Sequence, residues 1–229
     1  MTEDLGSASH TRVLDLVDDY PILYHMAEDG SWPSIEKHGL LSTSALLDLY
    51  GVAGRERRQI ESHQRKAMVA IHDSRIGSAI IRDQKVLHES ALANNVEGMS
   101  VEDYYELLNG KTFFWARMER LASFINGKEY RNLPHDVLTV DTGELVGRHE
   151  KEIWLSRINS GAFFGSGKRG LNTFKKIADY PSDPMRKERK ILTVVEVAVD
   201  YAVKDICNVT IKVEKWKGTT PVETIWRRA

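Results

Sequence analysis

Apolar residues along the chain follow two spacings, one typical of helices and one typical of strands. Val13, Leu14 and Val17 lie at helical spacing within residues 11–19, whereas residues 22–26 form a short apolar run that predicts a strand. Further helices are predicted at 43–50, 55–65, 100–109, 117–126 and from Thr142 onwards. Further strands are predicted at 79–82, 112–115, 136–140, 151–155, 191–199, 208–215 and 222–226.

The order of these elements predicts the fold class. Helices and strands are interleaved in the first part of the chain and strands follow one another in the last part, which favours an α+β fold over a regular doubly wound one. No repeat or long linker interrupts the pattern, so we expect one domain over residues 1–229, with residues 1–10 flexible. A short helix is expected to begin near Ser31, which would cap it, and to end at Gly39.

Composition narrows the class of protein further. The chain is 41% hydrophobic and 28% charged, and its single cysteine, Cys207, excludes an internal disulfide framework and a multi-cysteine zinc site. The eight histidines show no metal-ligand spacing, so we expect no metal. Residues 1–12 are polar, and no stretch is apolar enough to span a bilayer, which predicts a cytoplasmic protein without a membrane partner.

Charge is balanced overall but uneven along the chain. The net charge of −1 argues against a protein that binds nucleic acid through its charge as a whole. Residues 55–66 and 185–190 are nevertheless locally basic. They are either solvated surfaces or patches that face phosphate, and the sequence leaves both interpretations open.

Glu196 is the most informative candidate for chemistry. It is the lone carboxylate in a strand that is otherwise apolar on both faces, Thr193-Val194-Val195-Glu196-Val197-Ala198-Val199. Such a strand is expected to be covered on both sides, where an ionised carboxylate is costly unless it is paired or belongs to a site. Glu196 is therefore an ion-paired residue, an edge residue in water, or a catalytic carboxylate.

Tyr24 and His25 form a second candidate at the end of the first strand. Their side chains point to opposite faces, so one can pack while the other faces a cleft. A histidine there is either structural or able to donate a hydrogen bond to a ligand hydroxyl or phosphate. The segment 34–42, with His38-Gly39-Leu40 in its middle, follows after about ten residues.

Two arginines and an aromatic strand complete the set. The strand Thr112-Phe113-Phe114-Trp115 leads to Arg117 at the start of a helix, an arrangement that suits either core packing or a flat ring with charge nearby. Arg82 ends an apolar strand and is either a pyrophosphate ligand or a surface residue paired with Asp83.

These segments together resemble the ADP-ribosyltransferase superfamily, nearest to the DarT-like DNA ADP-ribosyltransferase toxins. The strand with Tyr24-His25 and the helix that ends in His38-Gly39-Leu40 resemble the opening of that family. The late strand resembles its C-terminal segment, so that the catalytic glutamate would fall on Glu196. Glu28-Asp29-Gly30-Ser31 stands where those toxins carry an asparagine. The segments Arg82-Asp83-Gln84 and Asn159-Ser160-Gly161 resemble those of an uncharacterised bacterial family.

The resemblance implies a split mixed or antiparallel sheet with peripheral helices, and NAD as a substrate. It gives Glu196 and His25 the catalytic roles, with His25 also holding ribose hydroxyls. The other cofactor-binding positions are Tyr24, Gly39, Arg82, Trp115 and Arg117. The acceptor of ADP-ribose, nucleic acid or protein, stays open, as does a toxin-like role with a neutralising partner protein. The alternatives are a non-catalytic nucleotide or nucleic-acid binding module on the same fold, and an RNA 2′-phosphotransferase-like enzyme.

Overall fold

An eight-stranded antiparallel sheet lies at the centre of the computed structural model, which describes residues 3–163, 167–185 and 191–229. The helices are α1 Glu3–Asp19, α2 Trp32–His38, α3 Thr43–Leu49, α4 Gly54–Glu61, α5 Glu89–Ala93, α6 Val101–Asn109, α7 Met118–Ile125, α8 Thr142–His149 and α9 Ile206–Val209. The strands are β1 Ile22–Glu28, β2 Leu40–Leu41, β3 Val69–Asp73, β4 Gly77–Ile81, β5 Val96–Glu97, β6 Lys111–Trp115, β7 Pro134–Asp141, β8 Ile153–Ser156, β9 Arg169–Gly170, β10 Lys175–Lys176, β11 Glu196–Asp200, β12 Ala202–Val203, β13 Thr210–Lys217 and β14 Thr220–Arg227.

The central sheet consists of two halves that meet at one residue pair. Its strand order is β10-β8-β11-β6-β1-β7-β13-β14. Strand β1 pairs with β7 along its whole length, and β6 pairs with β11 along its whole length. Between β6 and β1, however, the only Cα partners in the described residues are Trp115 and Tyr24. The two strands separate beyond that pair, so the sheet is open in its middle.

Helices cover both faces of the sheet. On one face, Leu23, Phe114 and Val197 pack with Leu16 of α1 and Leu145 of α8, and this is the largest cluster of buried apolar residues. On the other face, helix α6 packs on the half that contains β11, and helix α7 packs on the half that contains β1. Helices α3 and α4 pack on the separate hairpin β3–β4. Burial of both faces explains why the central strands are so apolar.

The fold is a mixed α+β single domain, as the order of elements predicted. The Ser100 cap of α6 forms a complete capping box with Asp103. Helix α2 ends at Gly39, where φ is +85° and an added Cβ would lie 2.6 Å from Cα of Lys204, so that only glycine fits. Ser31 precedes α2 but its side chain makes no capping hydrogen bond, contrary to the prediction.

Several element boundaries differ from the sequence predictions. Helix α1 begins at Glu3, inside the segment expected to be flexible. Strand β3 and helix α5 were not predicted, because each is only 5 residues long and so short an apolar run does not distinguish a strand from a helix. Strand β11 begins at Glu196 rather than Ile191, since the backbone N–H of Val194 donates to the Tyr20 hydroxyl outside the sheet. The basic residues 186–190 lie outside the described part of the chain.

Among the described residues, no helix combines the length and the apolarity that a membrane-spanning helix requires.

Candidate functional site

Three of the predicted site residues form a row across the middle of the sheet. Glu196 of β11 is the Cα partner of Trp115 on β6, and Trp115 is the Cα partner of Tyr24 on β1. Because directly opposite residues of antiparallel strands point to the same face, these three side chains share one face of the sheet. The row lies where the two halves of the sheet meet, and Glu196 lies one strand away from the opening between β6 and β1.

His25 bridges that opening. Its Nδ1 atom lies 2.7 Å from the backbone carbonyl oxygen of Phe113, at a point where β1 and β6 have already separated. A carbonyl only accepts hydrogen bonds, so Nδ1 carries the hydrogen and Nε2 of the neutral ring is an acceptor. Burial lowers the pKa of His25 to about 4, and the positive charge of Arg82 acts in the same direction. At neutral pH Nε2 is therefore a hydrogen-bond acceptor, so a ligand hydroxyl would donate to it rather than accept from it.

Glu196 is a buried carboxylate that no described cation pairs with. Its exposed fraction is 4%, and Oε2 accepts hydrogen bonds from the backbone N–H of Ser160 at 2.9 Å and from its hydroxyl at 2.7 Å. Burial raises the pKa of Glu196 to about 7, while the two Ser160 bonds and the charge of Arg169 lower it. Glu196 is therefore neither ion-paired with a described cation nor an edge residue exposed to water.

Glu196 and His25 line the same cavity, which has a volume of about 240 Å³. Trp115 and Arg82 also line it, as do Ser160 and Tyr130. The two residues to which the resemblance gives catalytic roles, one near each end of the chain, thus converge on one cavity at the opening of the sheet.

Two larger cavities adjoin this central one. A cavity of about 410 Å³ shares His25 and Arg82 with it and extends between helix α2, Gly39 and the hairpin β3–β4. A cavity of about 730 Å³ lies on the other side and shares Trp115 and Tyr130 with it. The three cavities together form a cleft with Glu196 near its middle.

The other predicted cofactor-binding residues are placed as follows. Arg82 lies in the cleft, forms an ion pair with Glu28 at 3.5 Å rather than with Asp83, and stacks over the Tyr130 ring at 5.0 Å. Gly39 lines the 410 Å³ cavity. Tyr24 occupies the row but lines none of the three cavities; it packs with the Trp115 and α7 cluster instead.

Arg117 is not brought to the cleft. Its guanidinium lies 4.8 Å from the centre of the Tyr20 ring, and it lines none of the three cavities. Strand β6 ends at Trp115, so the alternation that directs Trp115 towards the cleft does not extend to Arg117. The geometry therefore gives no support to a cofactor-binding role for Arg117.

An aromatic wall that sequence reasoning missed runs along the cleft. Trp115 and Phe124 have ring centres 5.3 Å apart, Phe124 and Tyr130 4.8 Å apart, and Arg82 lies beyond Tyr130. Phe124 and Tyr130 follow β6 along the chain and give no signal of their own, because single aromatic residues near a helix usually belong to the core. For Ser160, the only indication in the sequence was the resemblance of residues 159–161 to an uncharacterised bacterial family.

The 730 Å³ cavity is strongly basic although the chain as a whole is slightly acidic. Its ionisable lining consists of one carboxylate, Glu129, together with His88 and five Lys and Arg side chains: Lys85, Arg120, Lys128, Arg157 and Arg169. Glu129 is itself paired with Lys85 at 3.3 Å. With histidine neutral, the lining carries five positive charges and one negative, against −1 for the whole chain. An anionic ligand would be attracted to this end of the cleft.

Fold and site define a class of protein: a mixed α+β domain whose antiparallel sheet opens around a buried carboxylate in a cleft. Within the described ranges no group of three or more His, Cys, Asp or Glu residues is arranged to hold a metal ion. A family model described as "Family of unknown function (DUF7002)" matches residues 21–210, and the chain belongs to this family. No curated protein matches the chain, and no solved structure matches it.

Proposed function

We propose that the protein is an NAD-dependent ADP-ribosyltransferase with an ADP-ribosyltransferase-like split sheet. The observation that carries the proposal is the shared cavity of Glu196 and His25 at the opening between β6 and β1. The resemblance in sequence gives these two residues the catalytic roles. Their convergence, with the carboxylate held by Ser160 rather than by a cation, supports it.

Glu196 has the chemistry that the reaction needs. When the bond between nicotinamide and C1′ of the ribose breaks, its electron pair leaves with nicotinamide and positive charge develops on the ribose. A carboxylate close to the sugar stabilises that charge more strongly in the transition state than in the ground state, as in glycoside hydrolysis. The acceptor then bonds to C1′ and loses a proton, which Glu196 can take because its pKa of about 7 lies close to neutral pH.

His25 and Trp115 orient the substrate in this proposal. Nε2 of the neutral His25 ring accepts a hydrogen bond from a ribose hydroxyl. Trp115 and Phe124 offer flat faces on which the nicotinamide ring can stack. Arg82 donates to the phosphates from its position over Tyr130. The 410 Å³ cavity beyond Arg82 then takes the adenosine portion.

The basic 730 Å³ cavity favours nucleic acid over protein as the acceptor. It adjoins the central cavity through Trp115 and Tyr130, so a molecule bound there reaches the neighbourhood of Glu196. Its excess of positive charge suits phosphates, and its aromatic rings suit unpaired bases. The nearly neutral net charge of the whole chain is consistent with this, because the positive charge is concentrated in the cavity where the acceptor would bind.

Nicotinamide release from NAD by the purified protein tests the proposal. It is measured with and without single-stranded DNA and RNA, beside Glu196→Gln, His25→Ala and a control, Glu144→Gln, which changes an exposed acid of α8. We expect loss of release of at least about 100-fold for Glu196→Gln and none for the control. Release that both site variants retain in full would contradict the proposal.

The same assay separates the alternatives. Saturable NAD binding without nicotinamide release under any condition would favour a non-catalytic binding module. Release that requires a 2′-phosphorylated RNA, with disappearance of the 2′-phosphate, would identify an RNA 2′-phosphotransferase-like enzyme.

A further inference from the structure

Arg65 lies at the junction of the central and the 410 Å³ cavities and has no part in the chemistry described above. It follows α4 on the way to β3, and only 8% of the residue is exposed. It lines both cavities, together with His25 and Arg82. A ligand that extends from Glu196 into the 410 Å³ cavity would pass beside it.

The guanidinium of Arg65 is held rigidly by neutral acceptors. Nε donates to the backbone carbonyl of Arg82 at 2.9 Å, and Nη1 donates to the carbonyl of Ile60 at 2.6 Å and to Oδ1 of Asn109 at 3.0 Å. The Asn109 amide is fixed in turn by donating to the carbonyl of Glu61 at 2.7 Å. Within the described residues Nη2 makes no hydrogen bond, so one edge of the guanidinium remains for a ligand.

The charge of Arg65 is not neutralised by a carboxylate in the described residues. The other two cations at the junction have partners, since Arg82 pairs with Glu28 and Lys111 pairs with Asp200. Asp83 is the acid that acts on Arg65 from a distance, but it forms an ion pair with Lys85 and accepts a hydrogen bond from Tyr130. Burial lowers the pKa of Arg65 to about 10, so the side chain is still charged at neutral pH.

A buried cation without an ion pair is costly to a fold, and an anion bound beside it removes that cost. We propose that Arg65 is a fixed anion-binding residue of the cleft, whose free edge takes the diphosphate of a bound nucleotide. The identification of that nucleotide as NAD rests on the proposed function. The anion-binding role of Arg65 does not, because it follows from the position, bonding and charge of the residue.

Binding of ADP and of adenosine, measured by isothermal titration calorimetry, tests this role. The proteins are the unaltered chain, Arg65→Gln, Arg65→Lys and the control Arg75→Gln, which alters an 84% exposed arginine that lines none of the three cavities. We expect Arg65→Gln to weaken ADP binding about 10- to 100-fold and to leave adenosine binding nearly unchanged. The control should bind both ligands as the unaltered chain does.

Arg65→Lys keeps the charge and is the second variant should Arg65→Gln fail to fold. It is expected to lose less affinity for ADP than Arg65→Gln, and inorganic pyrophosphate should compete with ADP for the unaltered chain. Equal losses for ADP and adenosine, unchanged ADP binding in the folded variants, or no ADP binding by the unaltered chain would each overturn the role of Arg65.

Nicotinamide release distinguishes this proposal from the proposed function. ADP binding that depends on Arg65, in a protein that never releases nicotinamide, would retain the anion site and refute the enzyme. Release with an unchanged KM for NAD in Arg65→Gln would retain the enzyme and refute the anion site.

Discussion

Ser160 donates two hydrogen bonds to one oxygen of Glu196, from its backbone N–H at 2.9 Å and from its hydroxyl at 2.7 Å. Ser160 lies in the loop after β8, and β8 is the strand next to β11 in the sheet. Its own carbonyl accepts a hydrogen bond from the buried hydroxyl of Tyr104 at 3.1 Å, which fixes the loop. Both bonds to Oε2 favour the ionised carboxylate, while burial opposes it.

Replacing Ser160 by alanine should therefore raise the pKa of Glu196 further above its ordinary value. The lost hydroxyl bond to a charged acceptor contributes about 1.5 kcal/mol or more, which corresponds to a shift of roughly one pH unit. If catalysis needs the ionised form, the acidic limb of kcat/KM for nicotinamide release moves to higher pH by that amount. Ser44→Ala, which removes a hydroxyl bonded to Glu61 on another part of the chain, is the control. An unchanged limb in Ser160→Ala would show that the hydroxyl does not tune Glu196.

Glu196→Gln should change how stability depends on pH. The pKa of Glu196 rises from 4.5 to about 7 on folding, so between these values the folded state binds more protons than the unfolded state. The free energy of unfolding of the unaltered chain therefore falls as the pH rises through this window, by about 3 kcal/mol in total. Glutamine does not ionise, so Glu196→Gln should not lose free energy of unfolding in this way as the pH rises.

Urea denaturation at pH 5 and pH 8 measures the effect. The variant is expected to gain roughly 2 to 3 kcal/mol of stability relative to the unaltered chain between the two conditions. If the two proteins differed in free energy of unfolding by the same amount at pH 5 and pH 8, folding would not raise the pKa of Glu196.

His25 should titrate far below neutral pH. Burial lowers its pKa from 6.5 to about 4, so the imidazole stays neutral between pH 5 and pH 8 and contributes no limb to the pH–rate profile there. As the pH falls, the unfolded state takes up the proton first, so stability is lost between pH 6.5 and 4. The ring resonances of His25, followed by NMR with His25→Ala to assign them, should show this midpoint. A midpoint above 6 would contradict the buried neutral ring.

The sequence was sufficient to predict the α+β class, the strand that carries Glu196 and the strand that carries His25. These predictions succeeded because a lone carboxylate in an apolar strand and a strand beside a glycine-ended helix are local signals. The convergence of Glu196 and His25 depends instead on the order of strands in the sheet, which places β6 between β11 and β1. The spacing of residues along the chain contains no information about that order.

Arg117, Arg82 and Arg65 show the limit of such reasoning most clearly. All three are arginines near a helix or strand end, yet Arg117 lies over Tyr20, Arg82 is paired with Glu28, and Arg65 is buried without a carboxylate partner among the described residues. Which arginine faces a cleft is decided by where a strand ends and by which carboxylates fold beside it. Sequence alone could offer only candidates, and it included Arg65 only as one residue of the basic segment 55–66, for which a phosphate-facing role was left open.

Charge reversal in the basic 730 Å³ cavity tests the nucleic-acid acceptor. Arg120 and Lys128 both line this cavity, and neither lines the central one that contains Glu196. Arg120→Glu and Lys128→Glu should each weaken binding of a single-stranded oligonucleotide and lower the slope of log K against log salt concentration by about one, as loss of a phosphate contact does. The affinity for NAD without acceptor should not change, because neither side chain lines the central cavity or the 410 Å³ cavity.

Arg148→Glu is the matched control, since Arg148 is a partly exposed arginine of α8 that lines none of the three cavities. Fluorescence anisotropy with a labelled oligonucleotide, measured from about 50 to 200 mM salt, gives both the affinity and the slope. If Arg148→Glu reduced the slope as much as the two cavity variants, binding would depend on the overall charge of the protein. The positive lining of the cavity would then not define the acceptor, and a protein acceptor would have to be tested at the same place.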